Sequence, residues 1–308
     1  LKRLFNDHLD RILESIDLYL NEHGEIPGLS TPARREAFAK QCIDSMRRVQ
    51  FVRTIQSRDL DPKRADPTSD MFDPIRAAVM RYAQGDVEEA SWLVFLATHF
   101  GRHRSHGWKT TAQVYAGEGS QNHWTYVRVS NDVDGFLDWL GDPTTSISRH
   151  VGNHRKYVSL SATKPSGTGA TISSYLDWVK NFGSQAAAFQ SHIEAAEGDE
   201  CIAFGSLYKS MENIIGFGRT ARFDFLCMLQ KVGIANIAAD RAYLEGATGP
   251  LRGSALLFRK NPKDTKRKRQ LDDQLCDLGR ALGFPPNIME DAVCNWQKLP
   301  EKYAPFRG

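Results

Sequence analysis

The sequence has few cysteines, few strand-like stretches, no long apolar run and almost no excess of charge. Each shortage excludes something. The five cysteines, Cys42, Cys201, Cys227, Cys276 and Cys294, are odd in number and widely spaced. They make neither a disulfide framework nor a zinc knuckle, and no tight four-cysteine cassette is present for an iron–sulfur cluster. The compartment expected from this is reducing and cytoplasmic. The longest uninterrupted apolar run, residues 92–97, is six residues, far short of the ~20 that a bilayer span requires. Forty lysines and arginines against 37 acids leave a net charge of +3. That balance neither demands nor excludes nucleic acid, because distribution matters more than the sum. With 41% hydrophobic and 25% charged residues, the chain has the composition of a folded globular protein rather than a disordered one.

What the sequence does have is helical period. Leu9, Leu13, Ile16 and Leu20 recur at spacings of 4, 3 and 4, which is one apolar helix face. Ser30-Thr31-Pro32 reads as a cap followed by proline at a first helical position, opening a helix to about Gln56. Asp73-Pro74 opens another. Asp86 and Glu89 form a capping box ahead of the 92–97 run, which is expected to be a central core helix. Further helices are expected at about 132–140, 171–182, 185–197, 201–213, 219–232, 265–282 and 286–298. Only His123 to Val129 alternates well enough for a short strand, and no repeat of 20–50 residues is evident. The expected fold is therefore all-α. The Ser, Thr, Gly and Pro-rich residues 141–169 are expected to join two helical lobes, at about 1–140 and 170–308.

The most informative segment is LYKSMENIIGFGRTARFDFLCMLQKVGIANIAADRAY, residues 207–243. A helix ends near Asn213, Ile215-Gly216-Phe217-Gly218 makes a tight turn, and a second helix begins at about Arg219. Two glycines around one apolar residue let the backbone approach a partner closely while Phe217 plugs back between the helices. The first N–H groups of the second helix then face outward with the positive end of its dipole behind them. This is either an ordinary packing joint or a phosphate site that Arg219 and Arg222 reinforce. An acidic residue in an apolar setting, Asp240 after Ile237-Ala238-Ala239, follows Gly218 by 22 residues.

In these residues the sequence resembles the helix-hairpin-helix DNA glycosylase superfamily, the group of endonuclease III and the adenine glycosylases. Ile215-Gly216-Phe217-Gly218 matches the hairpin, and Ile237-Ala238-Ala239-Asp240 matches the approach to the catalytic aspartate. Three phrases are similar to one branch, that named for alpha-glutamyl/putrescinyl thymine pyrophosphorylases, clade three. They are GFGRTARFD at 216–224, LEGATGP at 244–250 and EDAVCNWQK at 290–298. A phage-defence glycosylase that removes glucosylated hydroxymethylcytosine is similar to the same branch. The resemblance implies a single glycosylase-like domain over 1–308, two helical lobes with a cleft, and double-stranded DNA carrying modified bases as partner. It implies a monofunctional glycosylase that flips out a bulky modified base and leaves an abasic site, with a role in anti-phage defence. It implies no cofactor and no membrane. Ile215 stands where the family has proline. Members with lyase activity carry a lysine early in the second hairpin helix, where this chain has Thr220 or its neighbour; Lys231 lies too far along. No lyase activity is expected.

The resemblance makes Asp240 the catalytic residue. One carboxylate beside the sugar stabilises the oxocarbenium-like charge and orients water. The alternative for Asp240 is a helix N-cap. Asp224 is the competing acid, with pairing to Arg222 as its plain role. DNA contact is expected from Gly216, Phe217, Gly218, Arg219, Thr220 and Arg222. A flipped base needs a pocket, and HFGRHRSHGW at 99–108 is the richest polar and aromatic cluster outside the hairpin. His99, Arg102, His103, His106 and Trp108 are the candidates, with a solvated helix end as the alternative. The H-x3-H-x2-H spacing permits a metal, but no carboxylate or cysteine joins it, so none is expected. Residues 166–171 (SGTGAT) lack the lysine and strand of a phosphate loop and read as a plain capped loop. The basic run RKNPKDTKRKR at 259–269 suits either solvent or phosphate. Two other functions stay open: an enzyme displacing pyrophosphate from an activated thymine derivative in DNA, and a binder of modified DNA without chemistry.

Overall fold

Local signals start most of the helices. In the computed structural model, which describes residues 2–117, 119 and 122–305, the regular structure is α1 (Lys2–His23), α2 (Pro32–Gln56), α3 (Pro74–Ala83), α4 (Val87–Phe100), α5 (Lys109–Ala116), α6 (Tyr126–Asn131), α7 (Val133–Gly141), α8 (Thr168–Lys180), α9 (Gln185–Ala195), α10 (Glu200–Ser210), α11 (Arg219–Val232), α12 (Gly249–Arg259), α13 (Lys268–Leu282) and α14 (Pro286–Trp296). The fold is all-α, as expected. Among the described residues the one β-type pairing is a single bridge between His103 and Gly107. Asp73 accepts the amides of Ile75 and Arg76 at 3.1 Å each, with Pro74 beside it, and so starts α3. Asp132, Ser184 and Asp199 cap α7, α9 and α10 in the same way. Gly233, at φ +84°, ends α11 in the left-handed conformation.

The chain forms two compact units. One holds the residues up to Phe51 together with those from Ala239 onward, and the other is Val52–Ala238. These boundaries differ from the lobes expected at 1–140 and 170–308. The Ser/Thr/Gly-rich residues 141–169 lie wholly inside the second unit and are bonded to its helices. Gly152 N donates to Phe100 O at 2.8 Å, and Arg155 Nε donates to Thr98 O at 2.6 Å.

In the first unit Ile16, Leu29, Phe38, Ile43, Leu251, Leu275, Met289 and Trp296 share one apolar core. Phe38 meets Trp296 edge to face at 5.7 Å. In the Val52–Ala238 unit the core is α4, buried at every position from Glu89 to Phe100. Such a helix has no solvent face, so it must be covered on all sides; α3, α5, α6, α9 and α11 do so.

Three expectations need correction. His123 to Val129 is not a strand: Thr125 caps the helix α6, its hydroxyl accepting the Arg128 amide at 3.3 Å. The capping box at Asp86 is half formed. Asp86 accepts the Glu89 amide at 3.1 Å, but the Glu89 carboxylate turns inward and accepts Tyr115 OH and Tyr126 N, each at 2.7 Å. Burial pushes the Glu89 carboxyl up, and these two donors oppose the shift. Finally, α5 and α12 were not anticipated; α5 has only eight residues, and α12 opens on Gly249-Pro250, a pair that reads as a turn.

His99, near the end of α4, is buried, and its Nε2 meets Thr168 Oγ1 at 3.0 Å. Burial holds its pKa down to about 3, with Arg155 adding to the effect. The unfolded chain therefore binds a proton there, below pH about 6.5, that the folded chain refuses. Stability should fall with acid through this window, and His99→Gln should flatten the slope by about 1.4 kcal/mol per pH unit. Urea unfolding of both proteins between pH about 5.5 and 4 checks this; parallel slopes would show that His99 titrates in the fold.

Candidate functional site

The hairpin forms between α10 and α11 as the sequence suggests. Phe217 is buried and stacks on Phe95 of α4 at 5.2 Å, with Phe225 edge-on at 5.8 Å. The two glycines do different things. Gly216 has φ +69°, and a Cβ there would sit 2.9 Å from Thr171 Oγ1. It is needed for the turn. Gly218 has φ −69°, and a Cβ there would meet nothing within 4 Å. Neither backbone conformation nor crowding requires glycine at 218. Its effect is to leave the start of α11 without a side-chain cap and open to close approach.

The polar residues around this turn divide. Thr220 is half-buried in the first turn of α11. Arg219 is buried, its guanidinium 4.6 Å from the Phe223 ring centre. Arg222 lies over the Tyr208 ring at 4.2 Å and donates to Tyr208 O at 2.9 Å. Asp224 does not pair with Arg222; its carboxylate accepts from Arg155 Nη2 at 3.0 Å and ties residues 153–155 to α11. The SGTGAT segment is not the plain capped loop expected: Thr168 to Thr171 form the first turn of α8, and its N-cap, Gly167, supplies no side-chain cap. The Thr168 and Gly169 amides, at the start of α8, donate to Ser159 O and Ser161 O at 2.8 and 3.1 Å and are not available to phosphate.

Asp240 lies within the non-helical stretch between α11 and α12, in the other unit. It is no N-cap, since the next helix, α12, starts at Gly249. Both its oxygens are engaged: Tyr243 OH donates to Oδ1 at 2.7 Å and Arg241 Nε to Oδ2 at 2.8 Å. About a quarter of the side chain, 23%, stays exposed. Tyr243 has φ +50°, a conformation that side chains rarely adopt. The loop is held by Asp272 of α13, which is 4% exposed. Its two oxygens accept the amides of Ala242 and Leu244, each at 2.9 Å. Burial raises the Asp272 carboxyl and the two amides oppose that.

The 99–108 segment separates into core and surface. His99 lies in the core, bonded to Thr168. Arg102 and His106 are exposed, and His103 and Trp108 are half-buried. Trp108 Nε1 is buried with no hydrogen-bond partner, a donor left for another group. The basic run between α12 and α13 closes on itself, with Arg259 donating to Asp264 Oδ1 at 3.1 Å and to Lys266 O at 2.8 Å.

The family model of alpha-glutamyl/putrescinyl thymine pyrophosphorylase clade 3 matches residues 33–308, nearly the whole chain. The chain belongs to that family. Neither a curated protein nor a solved structure matches it. The pyrophosphorylase clade 3 match spans the hairpin, Asp240 and Asp272 alike. The family name places the chain among enzymes of modified DNA bases, and no described helix is long and apolar enough to cross a membrane.

Sequence reasoning missed Tyr243 and Asp272. For Asp272 a signal existed: with Leu275, Cys276 and Gly279 it lies on the buried stripe of α13. An acid on an apolar stripe needs donors. Asp272→Asn points an NH2 group at one of the two amides, which should destabilise the fold by about 1–3 kcal/mol. Hydrogen exchange at Ala242 and Leu244 should quicken. Unchanged exchange would mean that the Asp240 loop is held by other contacts.

Proposed function

We propose that this chain is a monofunctional DNA N-glycosylase that removes a bulky modified base, such as glucosylated 5-hydroxymethylcytosine in phage DNA. The observation that carries the reading is the hairpin itself, whose Gly218 opens the α11 start although nothing in the fold demands glycine there. In this reading the amides at that helix start hold a DNA phosphate, with the helix dipole behind them. The half-buried Thr220 is in the first turn of α11, and the buried Arg219 and half-buried Arg222 raise the local positive potential. A partly exposed carboxylate that two donors orient, Asp240, supports the chemical step: it opposes positive charge growing on the deoxyribose and directs water to it. No lysine stands early in α11 to attack the sugar, in keeping with hydrolysis without strand cleavage. Arg102, His103, His106 and Trp108 are assigned to recognition of the flipped base, with His99 supporting that segment from the core. Removal of such bases would serve defence against phage.

A second reading is favoured by one observation, the family's own name: release of pyrophosphate from an activated thymine derivative, with the base–sugar bond intact.

Asp240→Asn keeps shape and removes charge. It should lower base release by at least about a hundredfold while the fold and DNA affinity persist. Asp224→Asn should change release little, and Gly218→Leu should leave stability intact but weaken binding to modified and plain DNA alike. Full activity in Asp240→Asn together with loss in Asp224→Asn would move catalysis to α11 and overturn the assignment.

A further inference from the structure

Three histidines from two segments meet on the Val52–Ala238 unit. His103 and His106 lie on the turn after α4, and His150 comes 44 residues later. One ring nitrogen of each lies within 4.8 Å of the others. The His106 and His150 rings stack at 3.8 Å, and His103 stands 5.0 and 5.4 Å from them. His99, the third histidine of the sequence spacing, is not part of this group: its ring is committed to Thr168.

Hydrogen bonds from the backbone and from α5 side chains hold the two segments in place. His103 and Gly107 exchange both backbone bonds, at 2.8 and 3.0 Å, and close the turn. His150 N donates to Thr110 Oγ1 at 2.8 Å, Thr110 Oγ1 donates to Ser148 O at 2.6 Å, and Ser148 N donates to Gln113 Oε1 at 2.8 Å. The His150 loop is thereby tied to α5, directly after the His106 turn. Fixed ligand segments are what separate a site from a chance grouping.

The donor chemistry is selective. Three imidazoles offer neutral nitrogen, and no carboxylate belongs to the group. Hard cations such as magnesium and calcium prefer oxygen, whereas imidazole suits zinc and its neighbours. His103 Nδ1 accepts the Ser105 and His106 amides at 3.2 and 3.1 Å. A metal ion bound at that nitrogen has to displace both bonds.

We propose that His103, His106 and His150 hold a divalent transition metal ion, zinc by preference, with the fourth position left for water or an anionic oxygen. Three protein ligands and one open position are the pattern of reactive rather than purely structural zinc sites. Arg102, Arg104 and Lys109 adjoin the ligands in sequence and favour an anionic oxygen as the fourth ligand. The inference does not rest on the glycosylase reading.

The test uses the full chain stripped with chelator, then titrated with Zn²⁺ or Co²⁺ by calorimetry and visible absorption. One ion per chain and the visible bands of four-coordinate Co²⁺ are expected, with no binding of Mg²⁺. His150→Ala and the exposed-site variant His106→Ala should each weaken binding by at least about tenfold, while His154→Ala, outside the cluster, should bind as wild type. Circular dichroism of His106→Ala confirms that the fold survives. Absence of saturable binding, wild-type binding by His150→Ala, or equal loss in His154→Ala would each overturn the proposal.

Discussion

A helix without a polar face has to be enclosed, and α4 is such a helix. Its burial obliges α3, α5, α6, α9 and α11 to pack around it, and its one buried acid, Glu89, obliges Tyr115 and the start of α6 to supply donors. The hairpin is a product of the same constraint. Phe95 of α4 presents an aromatic face, Phe217 stacks on it, and Phe225 and Tyr175 complete the cluster at 5.8–6.1 and 3.9 Å contacts. With Phe217 fixed inward, the glycines on either side of it are turned outward. The exposed backbone at the head of α11 is thus set by the packing of the core rather than by the loop itself.

The other unit solves a similar problem with charge. The segment from Ala239 to Leu244 carries no helix, so its amides need partners. Asp272 accepts two of them from a buried position and keeps Ala242 and Leu244 in the core. Asp240 is held from the same loop by Arg241 and Tyr243. A carboxylate oriented by two donors needs little reorganisation when positive charge develops beside it, which is the property that electrostatic catalysis requires.

Features set by neighbours in sequence were legible in the sequence. The limits of α2 and α11, the Asp73 and Asp86 caps and the Gly216-Phe217-Gly218 turn depend on local backbone demands, and they stand where expected. Features set across the fold were not. Residues 123–129 alternate like a strand, yet Thr125 caps a helix whose first amide bonds Glu89, 37 residues earlier. Arg222 was the apparent partner of Asp224, but Arg155 reaches it from a loop 69 residues away in sequence. The histidine group needed His150, which no spacing rule connects to His103 and His106. The Asp272 anchor was detectable only by asking why an acid lies on an apolar helix stripe.

The central claim is that the bond broken is the one between base and sugar. The direct measurement is to incubate the protein with plain, hydroxymethylated and glucosylated DNA, and with DNA carrying a pyrophosphate-activated thymine, and to identify the small product by mass spectrometry. The account predicts free modified base from the modified DNA, together with alkali-labile abasic sites and uncut strands before alkali. Pyrophosphate released from DNA with an activated thymine, with every base–sugar bond intact, would contradict it.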